Sequence, residues 1–349
     1  MLDELPVPDF YDPANARDWD YSPDQQRLAE AAAEWRRLHG IRPSAEDRRV
    51  VHLLLVDLQK DFCFPQGSLF VAGRSGEGAM EDNDRVARFL YRNLGNITHV
   101  TCTMDTHFPH QIFSPAFWLD DSGQPPSPHR EVTVADIRDG ALRPDPAVAK
   151  WVAPGGDYEW LLEHVEFYCR ELERQGKYRL YLWPPHCLLG SAGHTLAGVI
   201  HEARLFHSYA RGAPSAIEVK GTPPLTEYYS VIGPEVTHAH DGTELARRNA
   251  DFLEILRQSD AVVIAGQAAS HCVKSTIDDL LYHMEEELAR KVYILRDGMS
   301  SVTVPDPTRP GELAFDFTPQ AEAALERFRE AGMNVVDTET AMAEWPGFV

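Results

Sequence analysis

The sequence predicts an α/β protein: a doubly wound, mostly parallel six-stranded sheet with helices on both faces. Three observations carry this. Short runs that are apolar or nearly so, such as the near-continuous Val50–Val56 and Ala261–Ala265, have the length and composition of strands buried on both faces. Longer stretches between them place apolar residues at helical spacing, as Val86, Leu90 and Leu94 do. The two patterns alternate, as right-handed βαβ crossovers require.

Residues 1–48 are polar, rich in Pro and Asp, with one helix expected around Gln25–Arg37. They read as an N-terminal extension lying on a main domain, residues 49–349. That domain opens with the strand Val50–Val56, the amphipathic stretch Asn83–Leu94 and the strand Ile97–Met104. After a long irregular segment come a helix near Tyr158–Gln175, the strand Tyr178–Trp183, a helical stretch Gly193–Tyr209 and the short strand Ala216–Val219. The last third alternates cleanly: helix Glu244–Gln258, strand Ala261–Ala265, helix Cys272–Leu288, strand Lys291–Leu295, helix Pro319–Ala331 and strand Met333–Val336. Val273, Ile277, Leu280, Leu281 and Met284 share one face of the Cys272 helix.

Composition narrows the partners. With 33 Lys and Arg against 54 Asp and Glu, the 349-residue chain carries a net charge of −21. It should repel phosphate backbones and anionic membranes, which argues against nucleic acid or membrane as partners. Solubility is the ordinary consequence of such a charge. The five cysteines (Cys63, Cys102, Cys169, Cys187, Cys272) are odd in number and irregularly spaced, so no disulfide framework is expected. The start MLDELPVPDFYDP lacks a basic-then-apolar signal region. No apolar run approaches the roughly 18 residues of a membrane span. A soluble, cytoplasmic protein with reduced thiols is the expectation.

In doubly wound sheets, ligands bind beyond the carboxyl ends of the strands. Asp57 follows the first strand, Asp105-Thr-His107 the second and His186 the third. Lys220 follows the next short strand, and GQAASHC, ending on Cys272, follows Ala261–Ala265. A thiol at a helix mouth is favoured as thiolate by the helix's partial positive charge, and a nearby Lys220 ammonium would favour it further. Asp57 is suited to take and return a proton. For Cys272 alone, a small buried hydrophobe is the competing description, and it stands for the other four cysteines.

Asp105 and His107, two residues apart, project from one face of an extended strand end. With His186 they make a two-His, one-carboxylate set suited to one divalent transition metal, zinc first, with Fe(II) or Mn(II) as alternatives. A solvated loop is the ordinary setting of a lone D-x-H, and His110 is more simply a surface residue than a further ligand.

LVDLQKDF, DTH, WPPHC, EVKGT followed by TEYYSV, and AASHCVKST, in this order, resemble the nicotinamidase branch of the isochorismatase-like cysteine hydrolases. The resemblance runs from about Val51 to Val336. It implies a catalytic Asp57, Lys220 and Cys272, and Asp105, His107 and His186 as metal ligands. It implies a cis peptide at Gln267–Ala268, with the backbone N–H groups of Ala268 and Cys272 as an oxyanion hole. It also implies a small-molecule amide substrate with its ring on Phe62, and assembly as a homo-oligomer. Three departures stand out, the N-terminal extension being one. The 79 positions from His107 to His186 hold an insertion, about 108–157, that is expected to roof the pocket, with Trp118, Phe113 and Phe117 as lining candidates, core packing being the more frequent role of such aromatics. GQAASHC places an unusual His271 before the cysteine. Another amidase or ureide hydrolase of this group, a catalytically weak ligand-binding member, and a non-haem iron oxidoreductase remain alternatives. The last leaves Asp57, Lys220 and Cys272 without a role.

Overall fold

The fold was obtained as a computed structural model, which describes residues 4–176, 178–283, 289–306, 308–309 and 311–348. The chain forms two compact units. The first comprises Met1–Met104, Thr195–Glu218 and Ala250–Val349; the second comprises Asp105–His194 and Val219–Asn249.

A six-stranded sheet organises the first unit: β1 (Val51–Val56), β2 (His99–Asp105), β3 (Ser215–Lys220), β4 (Ala261–Gly266), β5 (Val292–Leu295) and β6 (Asn334–Val336). The order across the sheet is β6-β5-β4-β1-β2-β3. β1 pairs in parallel with β2 and β4, β4 with β5, and β5 with β6. Every residue of β1, β4 and β5 is buried, as their mostly apolar composition favours, and the one imidazole among them, His52 of β1, is paired with Thr101 Oγ1 at 2.8 Å. The chain passes into the second unit at the carboxyl ends of β2 and β3, after Met104 and Glu218.

The main helices are α1 (Gln25–His39), α2 (Gly78–Arg92), α3 (Tyr158–Gln175), α4 (Gly198–Arg211), α5 (Ala250–Gln258), α6 (Cys272–His283) and α7 (Thr318–Glu330). α1 begins where Asp24 accepts from the Gln26 and Arg27 N–H groups and ends on left-handed Gly40. It packs on α4, and α2 packs on α4 as well. The rest of the N-terminal segment is tied to the same unit. Tyr11 donates to Asp84 at 2.7 Å, and the Trp19 carbonyl accepts from Lys60 Nζ.

The structure shortens several predicted elements for local reasons. The helix expected from Gly193 begins at Gly198, because the residues before it pair with the chain after β1. Lys60 N–H donates to Thr195 O and Ala197 N–H to Leu58 O, each at 2.8 Å. The helix expected from Glu244 begins at Ala250. Leu245 N–H bonds Thr237 O and Asn249 N–H bonds Ile232 O instead, holding this stretch extended. Of Cys272–Leu288, residues 284–288 lie outside the described residues. The strand expected over Tyr178–Trp183 exists as Leu180–Leu182 but is no member of the main sheet; it pairs antiparallel with Arg130–Val132. A hairpin of Thr303–Pro305 and Leu313–Asp316 was not anticipated.

The second unit contains α3, two antiparallel ribbons (Trp118–Asp120 with Leu142–Pro144, and Arg130–Val132 with Leu180–Leu182) and short helices at Val134–Arg138 and Pro146–Val152. Its core includes Phe117, Trp118, Leu161, Val165 and Tyr168, all fully buried. All five cysteines are buried free thiols. Among the described residues, no helix is long and apolar enough to cross a membrane.

Candidate active site

In the first unit, Asp57 is fully buried at the end of β1 in the left-handed region, φ 46°. A non-glycine residue there is uncommon and needs support from its surroundings. Thr103 on neighbouring β2 gives that support: the Asp57 N–H donates to Thr103 Oγ1 at 3.0 Å, and that hydroxyl donates to Asp57 Oδ1.

Beside β1, β4 ends on Gly266, opposite Val56. A Cβ on Gly266 would meet Val56 O at 2.0 Å, so the approach of the two strand ends requires glycine. The next peptide bond, Gln267–Ala268, is cis. Its neighbourhood is held from several sides. Gln267 N–H donates to Val56 O (2.8 Å), Gln267 Nε2 to Asp82 Oδ2 (2.8 Å) and Ala269 N–H to Ser300 O (2.8 Å). Cys272 opens α6 and is 7% exposed. His271 is buried, edge-on to Phe317 at 4.9 Å, with Nδ1 against Ser270 Oγ at 2.9 Å. Burial pushes its pKa down to about 3, so it is a neutral packing residue. Phe62 lies in the short helix Lys60–Cys63 and is buried.

In the second unit, one ligand atom from each of Asp105, His107 and His186 falls within 4.8 Å of the others, and all three residues are buried. His107 Nε2 is 2.8 Å from Asp105 Oδ2, and His186 Nε2 is 3.7 Å from it. His107 Nδ1 donates to Gly221 O at 3.2 Å and His186 Nδ1 to Pro184 O at 2.8 Å. Carbonyl partners on both Nδ1 atoms fix the tautomers and turn two Nε2 lone pairs toward a carboxylate. Three converging acceptors suit a divalent cation.

Lys220 Nζ is 3.0 Å from Asp105 Oδ1 and donates to Tyr228 O at 3.0 Å. Burial alone would raise the Asp105 carboxyl, but His107 and the Lys220 ammonium override it and hold it well below the usual carboxylate range. Burial also lowers His107, favouring the neutral imidazole that a metal ligand must be.

Backbone pairing brings the two histidines together. His107 N–H donates to Cys187 O and Leu189 N–H to His107 O, each at 3.0 Å, leaving the rings 4.7 Å apart. Phe113 packs edge-on to His107, also at 4.7 Å. Trp118, by contrast, is fully buried in the core of its unit, its indole N–H donating to Ile112 O. His110 is exposed and stands outside the ligand cluster.

Two residues escaped the sequence reading. Gly221, at φ 86°, would place a Cβ 2.6 Å from Asp105 Oδ1 and 2.7 Å from His107 Cε1. Gln111 Nε2 donates to the carbonyls of Gly221 (2.6 Å) and Pro223 (3.1 Å), fixing the loop that orients His107. The glycine in EVKGT was a readable signal for such close approach; Gln111 offered none.

No protein-family model matches the chain. A nicotinamidase from Escherichia coli (strain K12) is 26% identical over 122 residues, which is 35% of this chain and 47% of that protein. The chain thus matches about half the length of that relative. The yeast nicotinamidase, solved alone and bound to the inhibitor nicotinaldehyde, is 19% identical over 82% of this chain and 100% of its own, with a TM-score of 0.50. The chain therefore has the isochorismatase-like α/β fold seen in the yeast nicotinamidase.

Proposed function

We propose that the protein is a cysteine amidohydrolase that converts a small heteroaromatic amide, such as nicotinamide, to its acid and ammonia. The observation that supports it most is Cys272 opening α6 after the clamped segment that follows β4, with buried Asp57 at the end of neighbouring β1. In this reading the Cys272 thiol passes its proton to Asp57 and its sulfur attacks the amide carbon. The backbone N–H groups of Ala268 and Cys272 stabilise the oxyanion. Asp57 delivers the proton to the departing nitrogen, so ammonia leaves and a thioester remains. Asp57 then takes a proton from water; hydroxide displaces the thiolate, and the acid is released. Lys220, paired with Asp105, balances the charge, and Phe62 packs on the substrate ring.

Asp105, His107 and His186 would hold one divalent ion, zinc first and Fe(II) or Mn(II) as alternatives. Such an ion offers a Lewis-acid docking point for a ring nitrogen. We assign residues 1–48 to an extension of the hydrolase domain. The insertion at about 108–157 takes part in substrate access, since it supplies the Phe113 that packs on His107.

Nicotinamide and benzamide have the same shape, and only nicotinamide carries a ring nitrogen. A site built to ligate a group discriminates against the analogue lacking it, so kcat/KM for nicotinamide should exceed that for benzamide by roughly a hundredfold or more on the zinc-loaded enzyme. Equal values, or turnover of neither beside rapid cleavage of an aliphatic ureide, would move the protein to another amidase class.

A further inference from the structure

Lys220 Nζ is held by two oxygens of its own unit, one of which is the backbone carbonyl of Tyr228. A carbonyl can position an ammonium only if its peptide is itself immobile. Tyr228 sits between two residues bound into one buried network. Glu227, 2% exposed, accepts from Tyr168 OH at Oε2 (3.1 Å) and from Tyr229 OH at Oε1 (2.9 Å). The Glu227 N–H donates back to Tyr168 OH at 2.8 Å, closing a ring on one side. On the other side Trp183 Nε1 donates to Tyr229 OH at 2.9 Å. Tyr168 comes from α3 and Trp183 from the segment leading to His186. The loop behind Lys220 is therefore pinned from two directions through a single carboxyl.

We infer that Glu227 is a positioning residue for Lys220, acting through the Tyr228 carbonyl by way of the Tyr168 and Tyr229 phenols. The inference rests on the assignment of Lys220 to the catalytic machinery. Packing alone would be served by an apolar side chain. A carboxyl buried in this setting carries a desolvation cost that only its hydrogen bonds offset. Burial pushes its pKa up to about 8, so what it supplies at neutral pH is hydrogen-bonding geometry more than charge. With Glu227 cut back, both phenols lose the carboxyl that joins them, and the Tyr228 peptide keeps only the residue-227 N–H on Tyr168 and the Trp183 bond to Tyr229, no longer linked to each other. A glutamine keeps the shape and one acceptor oxygen.

The test compares wild type, Glu227→Ala, Glu227→Gln and Lys220→Ala in nicotinamide hydrolysis by the zinc-loaded full chain, with thermal melts alongside. Glu227→Ala should lose roughly 10- to 100-fold in kcat while KM stays within about twofold, as expected for a misplaced group that acts in the transition state. Glu227→Gln should recover most of that loss. A Glu227→Ala variant that keeps wild-type kcat while Lys220→Ala loses activity overturns the inference alone. The same holds if Glu227→Gln, melting like wild type, is as slow as Glu227→Ala. Should Lys220→Ala keep full turnover, or wild type not hydrolyse nicotinamide, the functional reading beneath the inference is overturned instead.

Discussion

Cys272→Ala is expected to fold like the wild type and to lose at least about a thousandfold in kcat, since the whole acyl transfer passes through its sulfur. The two halves of this expectation rest on different features. The fold should tolerate the change because the thiol is a small group at the first position of α6. Shortening it to a methyl leaves β4, the segment that follows it and the helix's apolar face intact, for about 1 kcal/mol or less in stability. The rate should not tolerate it, because no neighbouring group can replace the nucleophile. Ammonia release and a thermal melt on the same preparation separate the two. Ammonia release near the wild-type rate from Cys272→Ala would remove the cysteine mechanism.

Loss of the metal is the second large effect expected. Elemental analysis of purified protein should find close to one transition-metal ion per chain, and His107→Ala and His186→Ala should each abolish it. Each imidazole is aimed by its own carbonyl partner, Gly221 O or Pro184 O, so each contributes a preset lone pair rather than a mobile one. Removing one leaves a two-ligand site of far lower affinity. The variants should remain folded, since both rings line a ligand cluster and neither lies in β2 or β3 themselves. Full activity in rigorously metal-free protein would return the two histidines to a purely structural role.

How much of this was legible depended on whether a residue's placement is decided locally. Asp57 and Cys272 follow β1 and β4, whose mostly apolar, fully buried runs are plain in the sequence, whereas Asp105 and Lys220 close β2 and β3, where polar and apolar residues mix and the strand is marked by its place in the alternation more than by its composition. His186 was harder. Its preceding strand, Leu180–Leu182, has the apolar look of a sheet strand but pairs with Arg130–Val132. The residue reaches His107 through the pairing of Cys187 and Leu189 with the His107 backbone just beyond β2, a contact no periodicity encodes. Trp118 misled in the opposite way: an aromatic in an insertion suggests a pocket wall, yet the ring fills the core of its own unit. Gln111 and Glu227 act through backbone carbonyls, and a polar side chain that supports a loop looks in sequence like any surface residue. The helix starts at Gly198 and Ala250 were misjudged for a related reason, since the preceding residues find long-range backbone partners.

The central claim is that the amide carbon becomes bound to Cys272, and it can be observed directly. Wild-type protein mixed with excess nicotinamide, quenched in acid during turnover and digested, should yield a peptide containing Cys272 heavier by one nicotinoyl group. Hydroxylamine should remove that group, as it does a thioester, and Asp57→Asn, which cannot complete the proton transfers, should not accumulate it. Ammonia released steadily while the Cys272 peptide stays unmodified, or a nicotinoyl group found on another residue, would contradict the account.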